Sequence, residues 1–142
     1  MREVKYAGLS DLETIVAIDQ QVIGHANRRG EIERAIREQG CLVVISEGKA
    51  MGFLLFNTQF FENAFVSLII ISPKERRKGY ASSLLKYFEK ISPTEKIFSS
   101  TNQSNFEMQK VFQMNGYTPS GMIENLDSGD PELIYFKYKE NQ

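Results

Sequence analysis

Residues 65–91 place a strand, a basic turn and a helix in immediate succession, and this order constrains the fold more than any other segment. Phe65-Val66-Ser67-Leu68-Ile69-Ile70-Ile71 is almost continuously apolar, which predicts a strand buried on both faces. Pro73 closes it, because proline cannot donate to a central ladder. Leu84, Leu85, Phe88 and Ile91 then recur at helical spacing over residues 80–91. Between the two lies Pro73-Lys74-Glu75-Arg76-Arg77-Lys78-Gly79-Tyr80-Ala81. A helix start presents unpaired backbone N–H groups and a positive dipole end. A glycine there lets the backbone approach an anion closely, and the site suits a pyrophosphate. The segment lacks the Gly-Lys-Ser/Thr ending of a Walker loop and the Gly-x-Gly-x-x-Gly of a dinucleotide fold. A solvated basic turn is the plainer alternative.

The rest of the chain supplies the surrounding elements. Residues 3–6 read as a first strand. Ser10-Asp11-Leu12-Glu13 has the form of a capping box, opening a helix with Leu12, Ile15, Val16 and Ile18 inward. A loop around His25 leads to a second helix carrying Ile32, Ala35 and Ile36, with Gly40 as its expected stop. Residues 41–45 and 51–57 read as a hairpin around Glu47-Gly48-Lys49, and Phe60-Phe61-Glu62-Asn63 as the next turn. After the strand, basic turn and helix come a strand at 97–101, a capping box at Ser104-Asn105-Phe106-Glu107, and a helix with Met108, Val111 and Phe112 inward. Asn115-Gly116 suits that helix's left-handed end, and strands at 117–123 and 132–138 close the order. The succession is β-α-α-β-β-β-α-β-α-β-β, an α/β (α+β) chain expected to form one domain over residues 1–142.

Composition narrows the function classes. The chain has 142 residues, 42% hydrophobic and 25% charged, with a net charge of -1 and a pI near 5.9. That balance excludes wholesale disorder and argues against nucleic acid as a partner. No apolar run reaches the roughly 20 residues of a membrane helix, so no membrane partner is expected. A single cysteine, Cys41, and a single histidine, His25, argue against a disulfide framework or a structural metal site. A cytoplasmic protein is the resulting expectation.

Arg76-x-x-Gly79-x-Ala81, set between an apolar strand and an amphipathic helix, resembles the Gln/Arg-x-x-Gly-x-Gly/Ala signature of the GNAT superfamily of acyl-CoA-dependent N-acetyltransferases. The element order is also that family's order, and Ser104-Asn105 opening a helix that ends Asn115-Gly116-Tyr117 is similar to its second conserved region. The resemblance implies a mixed, mostly antiparallel central sheet flanked by helices. It implies acetyl-CoA as co-substrate, with no metal, and a primary amine as acceptor attacking the thioester directly. The coenzyme A pyrophosphate is then expected on Arg76, Arg77, Lys78, Gly79, Tyr80 and Ala81. The pantetheine arm is expected along Ile69, Ile70 and Ile71, with Asn105 and Phe112 as further contacts. Oligomeric state is left open, a homodimer included.

Acyl transfer from a thioester needs a way to remove the amine's proton, an oxyanion site and, optionally, an acid for the thiolate. Many family members carry a tyrosine seven residues beyond the asparagine for the last of these; that position here is Phe112. Water, another tyrosine (Tyr80, Tyr87, Tyr117 or Tyr135) or no acid at all is then left to serve. Glu62 and His25 are weak candidates for the base. Cys41 begins an apolar strand and reads as core. Phe60, Phe61 and Phe65 read as packing before they read as an acceptor pocket. Glu124, Asp127, Asp130 and Glu132 form an acidic stretch that reads as a soluble turn, with attraction of a cationic amine as the functional alternative. The competing functions are a catalytically weak acyl-CoA sensor of the same fold, and an unrelated anion-binding domain.

Overall fold

A computed structural model describes residues 1–139. The elements are β1 (Arg2–Tyr6), α1 (Leu12–Ile23), α2 (Arg29–Arg37), β2 (Cys41–Ser46), β3 (Lys49–Phe60), β4 (Asn63–Ile71), α3 (Tyr80–Ile91), β5 (Lys96–Asn102), α4 (Phe106–Met114), β6 (Thr118–Ile123) and β7 (Glu132–Tyr138). The order matches the sequence expectation. The strands form a seven-stranded sheet in the order β1-β2-β3-β4-β5-β7-β6. β4 and β5 pair parallel, while β1–β2, β2–β3, β5–β7 and β6–β7 are antiparallel.

The chain divides into two compact units. The first comprises Met1–Phe56 and Leu68–Tyr87. Its core joins Leu12, Ile15, Val16 and Ile18 of α1 to Ile32 and Ile36 of α2, over Cys41, Val43, Phe53 and Leu55 of the sheet. Asp19 is buried, and both its carboxylate oxygens accept from the Arg28 guanidinium, at 3.0 and 2.7 Å. Burying that carboxylate is tolerable only because it is paired and hydrogen-bonded.

Local details of this unit differ from the sequence expectation. Ser10 and Glu13 do not form a capping box. The Asp11 carboxylate instead accepts from Gly8 N–H at 2.8 Å and closes a 3-10 turn at Leu9–Asp11, and Glu13 pairs with Arg29 of α2. The left-handed residue after α2 is Gln39, with φ of 59°, and Gly40 serves another purpose. A Cβ on Gly40 would lie 2.6 Å from the Phe56 carbonyl oxygen, so only glycine admits β3 this closely.

The second unit comprises Asn57–Ser67 and the described residues from Phe88 onward. Phe61 and Glu62 form the β3–β4 turn with φ of 52° and 66°, the paired left-handed geometry of a tight hairpin. Phe65, Phe60, Phe98, Phe136 and Tyr138 follow one another ring to ring at 4.8–5.2 Å, so Phe60 and Phe65 serve as packing. Glu89 is buried against Lys137, whose Nζ donates to Glu89 Oε1 at 2.8 Å and to the Asn115 carbonyl at 2.8 Å.

β4 is not buried on both faces. Ala64 and Val66 are buried, Ser67 is exposed, and Leu68, Ile69, Ile70 and Ile71 are only half-buried. An apolar run reads as double burial because sequence does not reveal that its C-terminal half is left partly uncovered.

Candidate active site

The basic turn expected to bind an anion lies within the first unit. Pro73–Glu75 forms a 3-10 turn after β4. The chain then passes through Arg77 and Gly79, with φ of 66° and 84°, on either side of Lys78. Left-handed residues at a turn of this kind are a recurring feature of backbone concavities that bind anions. The ladder of α3 first closes from Ser83 N–H to Gly79 O at 3.0 Å. Tyr80 and Ala81 therefore lie ahead of it, with amides that have no intrahelical acceptor. The side chains of Arg76, Arg77 and Lys78 are exposed. Lys78 is less available than its sequence position implies. Its ammonium bonds Glu75 at 2.8 Å, and that hydrogen bond is the main cause holding its pKa above the ordinary lysine value.

A residue not singled out from sequence joins this turn. Arg2 donates from Nη2 to the Lys78 carbonyl at 2.8 Å and from Nη1 to Ser83 Oγ at 3.1 Å. Its guanidinium carbon lies 4.3 Å from the centroid of the buried Tyr80 ring. No local pattern announces a contact across 76 positions.

The strand leading into the turn offers a second set of polar groups. Backbone groups alternate sides along a strand. Ser72 N–H donates to Met51 O on β3, and the Ile70 carbonyl also faces β3, where a Cβ on Gly52 would meet it at 2.6 Å. Ile69 and Ile71 therefore present their N–H and C=O groups to the opposite edge. The β4–β5 ladder occupies only Ala64, Val66 and Phe65 between them, so Ile69 and Ile71 lie beyond it. Of the three isoleucines, these two turn their backbone groups away from β3.

The remaining candidates belong to other elements. Asn105 and Phe112 belong to the second unit. Asn105, and not Ser104, caps α4, its Oδ1 accepting from Met108 N–H at 3.1 Å. Ser104 is held instead by Asp130, through its hydroxyl at 2.6 Å and its N–H at 3.0 Å. α4 begins at Phe106, so Asn105 and not Ser104 stands at the position whose side chain reaches the first-turn amides. Asp127 likewise accepts from the Asn102 side chain at 2.9 Å, and Glu132 from Ser100 at 2.6 Å, so three of the four acidic residues are engaged by neighbouring side chains. Phe112 is buried between Tyr117 and Tyr135, at centroid distances of 5.4 and 4.7 Å.

Glu62 is exposed in the hairpin turn one residue before β4. His25 is exposed in the α1–α2 loop, with Nδ1 accepting from Asn27 N–H at 3.2 Å, so a neutral ring carries its proton on Nε2. Cys41 is buried, and desolvation first, with Asp11 second, pushes its thiol up to about 12. It is inert core. Burial also raises Tyr117 and Tyr135, Tyr117 further through Glu89. Among the described residues no group of three or more His, Cys, Asp and Glu side chains is placed to hold a metal ion. No described helix is long and apolar enough to cross a membrane.

Known proteins share this fold. The family model of the GNAT acetyltransferases matches residues 14–117. A GNAT-family acetyltransferase from Bacillus cereus is 52% identical, with 99% of each chain covered and a TM-score of 0.98. Ard1 from Thermoplasma volcanium shares the fold at 16% identity, 99% coverage of each chain and a TM-score of 0.85. The Salmonella typhimurium protein yncA, whose structure holds its cofactor acetyl-CoA, does so at 14% identity, covering 99% of this chain and 95% of its own, with a TM-score of 0.78. No curated protein matches the sequence. With the matched segment spanning α1 to α4 and the signature turn in its expected place, the chain belongs to the GNAT acetyltransferase family.

Proposed function

We propose that the protein is an acetyl-CoA-dependent N-acetyltransferase, a single domain that acts on a primary amine. The observation that carries this reading is the pair of left-handed residues, Arg77 and Gly79, before the open amides of α3. The amides of Gly79, Tyr80 and Ala81 hold the pyrophosphate, supplemented by Arg76 and Arg77. Ile69 and Ile71 bond the pantetheine arm as an added strand would. Their N–H groups also supply the donor that polarises the thioester carbonyl. The cofactor supplies the acyl chemistry: a C–N bond forms to the neutral amine, the C–S bond breaks, and the amine's proton leaves to solvent or a base. The acceptor is a small amine, an amino acid, a protein N-terminus or a lysine. One buried cysteine suits a reducing compartment such as the cytoplasm.

A second reading, an acyl-CoA sensor with little turnover, is favoured by Phe112, which places a buried ring without a hydroxyl where many relatives carry an acid. Two measurements test the pair. Acetyl-CoA and coenzyme A should raise the melting temperature and ATP should not, with about 2.7 kcal/mol gained at a hundredfold excess over Kd. Thiol release across an amine panel then separates enzyme from sensor. No shift with millimolar acetyl-CoA would remove both readings.

A further inference from the structure

We propose that Arg2 is a positioning residue for the coenzyme A pyrophosphate, setting the direction of the Gly79 and Tyr80 amides. This rests on the acetyl-CoA reading above. Arg2 is fixed at its backbone by antiparallel pairing with Ser46, so its side chain extends from an anchored strand. The guanidinium bridges two points of the turn, Lys78 O at 2.8 Å and Ser83 Oγ at 3.1 Å, and lies over the Tyr80 ring.

The consequence follows from peptide geometry. A trans peptide is planar, with its C=O and N–H directed oppositely. Holding the Lys78 carbonyl toward Arg2 therefore turns the Gly79 N–H away from it. The next peptide is held in the same manner. Gly79 O accepts from Ser83 N–H at 3.0 Å and Ser83 Oγ at 3.1 Å, which directs the Tyr80 N–H. Arg2 keeps Ser83 Oγ in place as a hydrogen-bond acceptor while that hydroxyl donates to Gly79. One side chain thus sets two successive peptide planes at the signature glycine. Gly79 has the freedom to rotate to many other values without such a brace. Lysine at this position keeps the charge but lacks the planar fork that reaches two acceptors and stacks on a ring.

The test measures coenzyme A binding by calorimetry, and the Gly79 and Tyr80 amide resonances of the ligand-free protein, in wild type, Arg2→Ala and Arg2→Lys. Arg2→Ala should weaken coenzyme A about tenfold, the equivalent of one charged hydrogen bond. Arg2→Lys should recover little of that loss. Both variants should move the Gly79 and Tyr80 resonances while leaving those of Ile97 and Ser99 in β5 unchanged, which also shows that the variants are folded. Wild-type affinity in Arg2→Ala overturns the proposal. Restoration by lysine also overturns it, since charge alone would then suffice, and so do unmoved resonances. Wild type that fails to bind coenzyme A removes the acetyl-CoA reading itself, a result distinct from failure in the variants alone.

Discussion

Phe112 lies against Tyr135 with ring centroids 4.7 Å apart and planes 25° from parallel. Phe112 is only 1% exposed, so a hydroxyl added to it enters a packed aromatic layer. Phe112→Tyr should cost about 1–3 kcal/mol of stability, the usual penalty for an unsatisfied buried polar group. It should not raise the rate of thiol release. Urea denaturation together with a thiol assay checks both. A variant as stable as wild type and faster would mean that the ring faces the reacting sulfur.

Gly79 should matter more to the cofactor than the charge of Arg76. Its φ of 84° is a conformation that costs other residues about 1–2 kcal/mol. A Cβ there would also lie 3.3 Å from Arg2 Nη1, disturbing the brace on the turn. Arg76 is exposed, and exposed charges are screened by salt. Gly79→Ala should therefore weaken coenzyme A more than Arg76→Ala, measured by calorimetry at 0.15 M salt or thereabouts. The reverse order would place the affinity in side-chain charge.

Gly52 should prove intolerant for a reason unrelated to turns. Its Cβ would lie 2.6 Å from Ile70 O and 3.1 Å from Ile71 Cα, both on the strand proposed to hold pantetheine. Gly52→Ala must push β4 outward, with about 1–3 kcal/mol lost to overpacking. Acetyl-CoA affinity should fall with it, because Ile69 and Ile71 move too. Thermal melting with and without acetyl-CoA reads both effects. Unchanged affinity in a destabilised variant would separate β4 from the cofactor.

Alkaline pH should destabilise the fold through Cys41. Its thiol is raised from 9.0 to about 12 in the native state. Below pH 9 both states hold the proton, and the contribution is intact. As pH rises from about 9 toward 12, the unfolded chain releases a proton that the native state keeps. Stability should then fall by up to about 1.4 kcal/mol per pH unit. Tyr117, raised from 10.0, acts with the same sign but starts later. Cys41→Ala should flatten the decline between about pH 9 and 10. An equal slope in that variant would assign the alkaline limb to other groups.

What the sequence determined by itself was the order and periodicity of the elements, which depend on near neighbours. The spacing of Leu84, Leu85 and Phe88 bounds α3 correctly, because helical periodicity is a local property. Glu47-Gly48 and Phe61-Glu62 mark hairpins because the run between two strands must reverse within a few residues. The signature turn was legible for the same reason, its strand, glycine and helix being contiguous. Tertiary structure decided which groups those local pieces actually meet. Gly40 and Gly52 are required by carbonyls of Phe56 and Ile70 on neighbouring strands, not by helix ends or turns. Ser104 is bonded to Asp130, 26 residues away, a contact that no local pattern reveals. Arg2 reaches Lys78 across the length of the first unit's sequence. A hydrogen bond needs its partners within about 3 Å, and only the folded chain brings residues so distant in sequence to that separation.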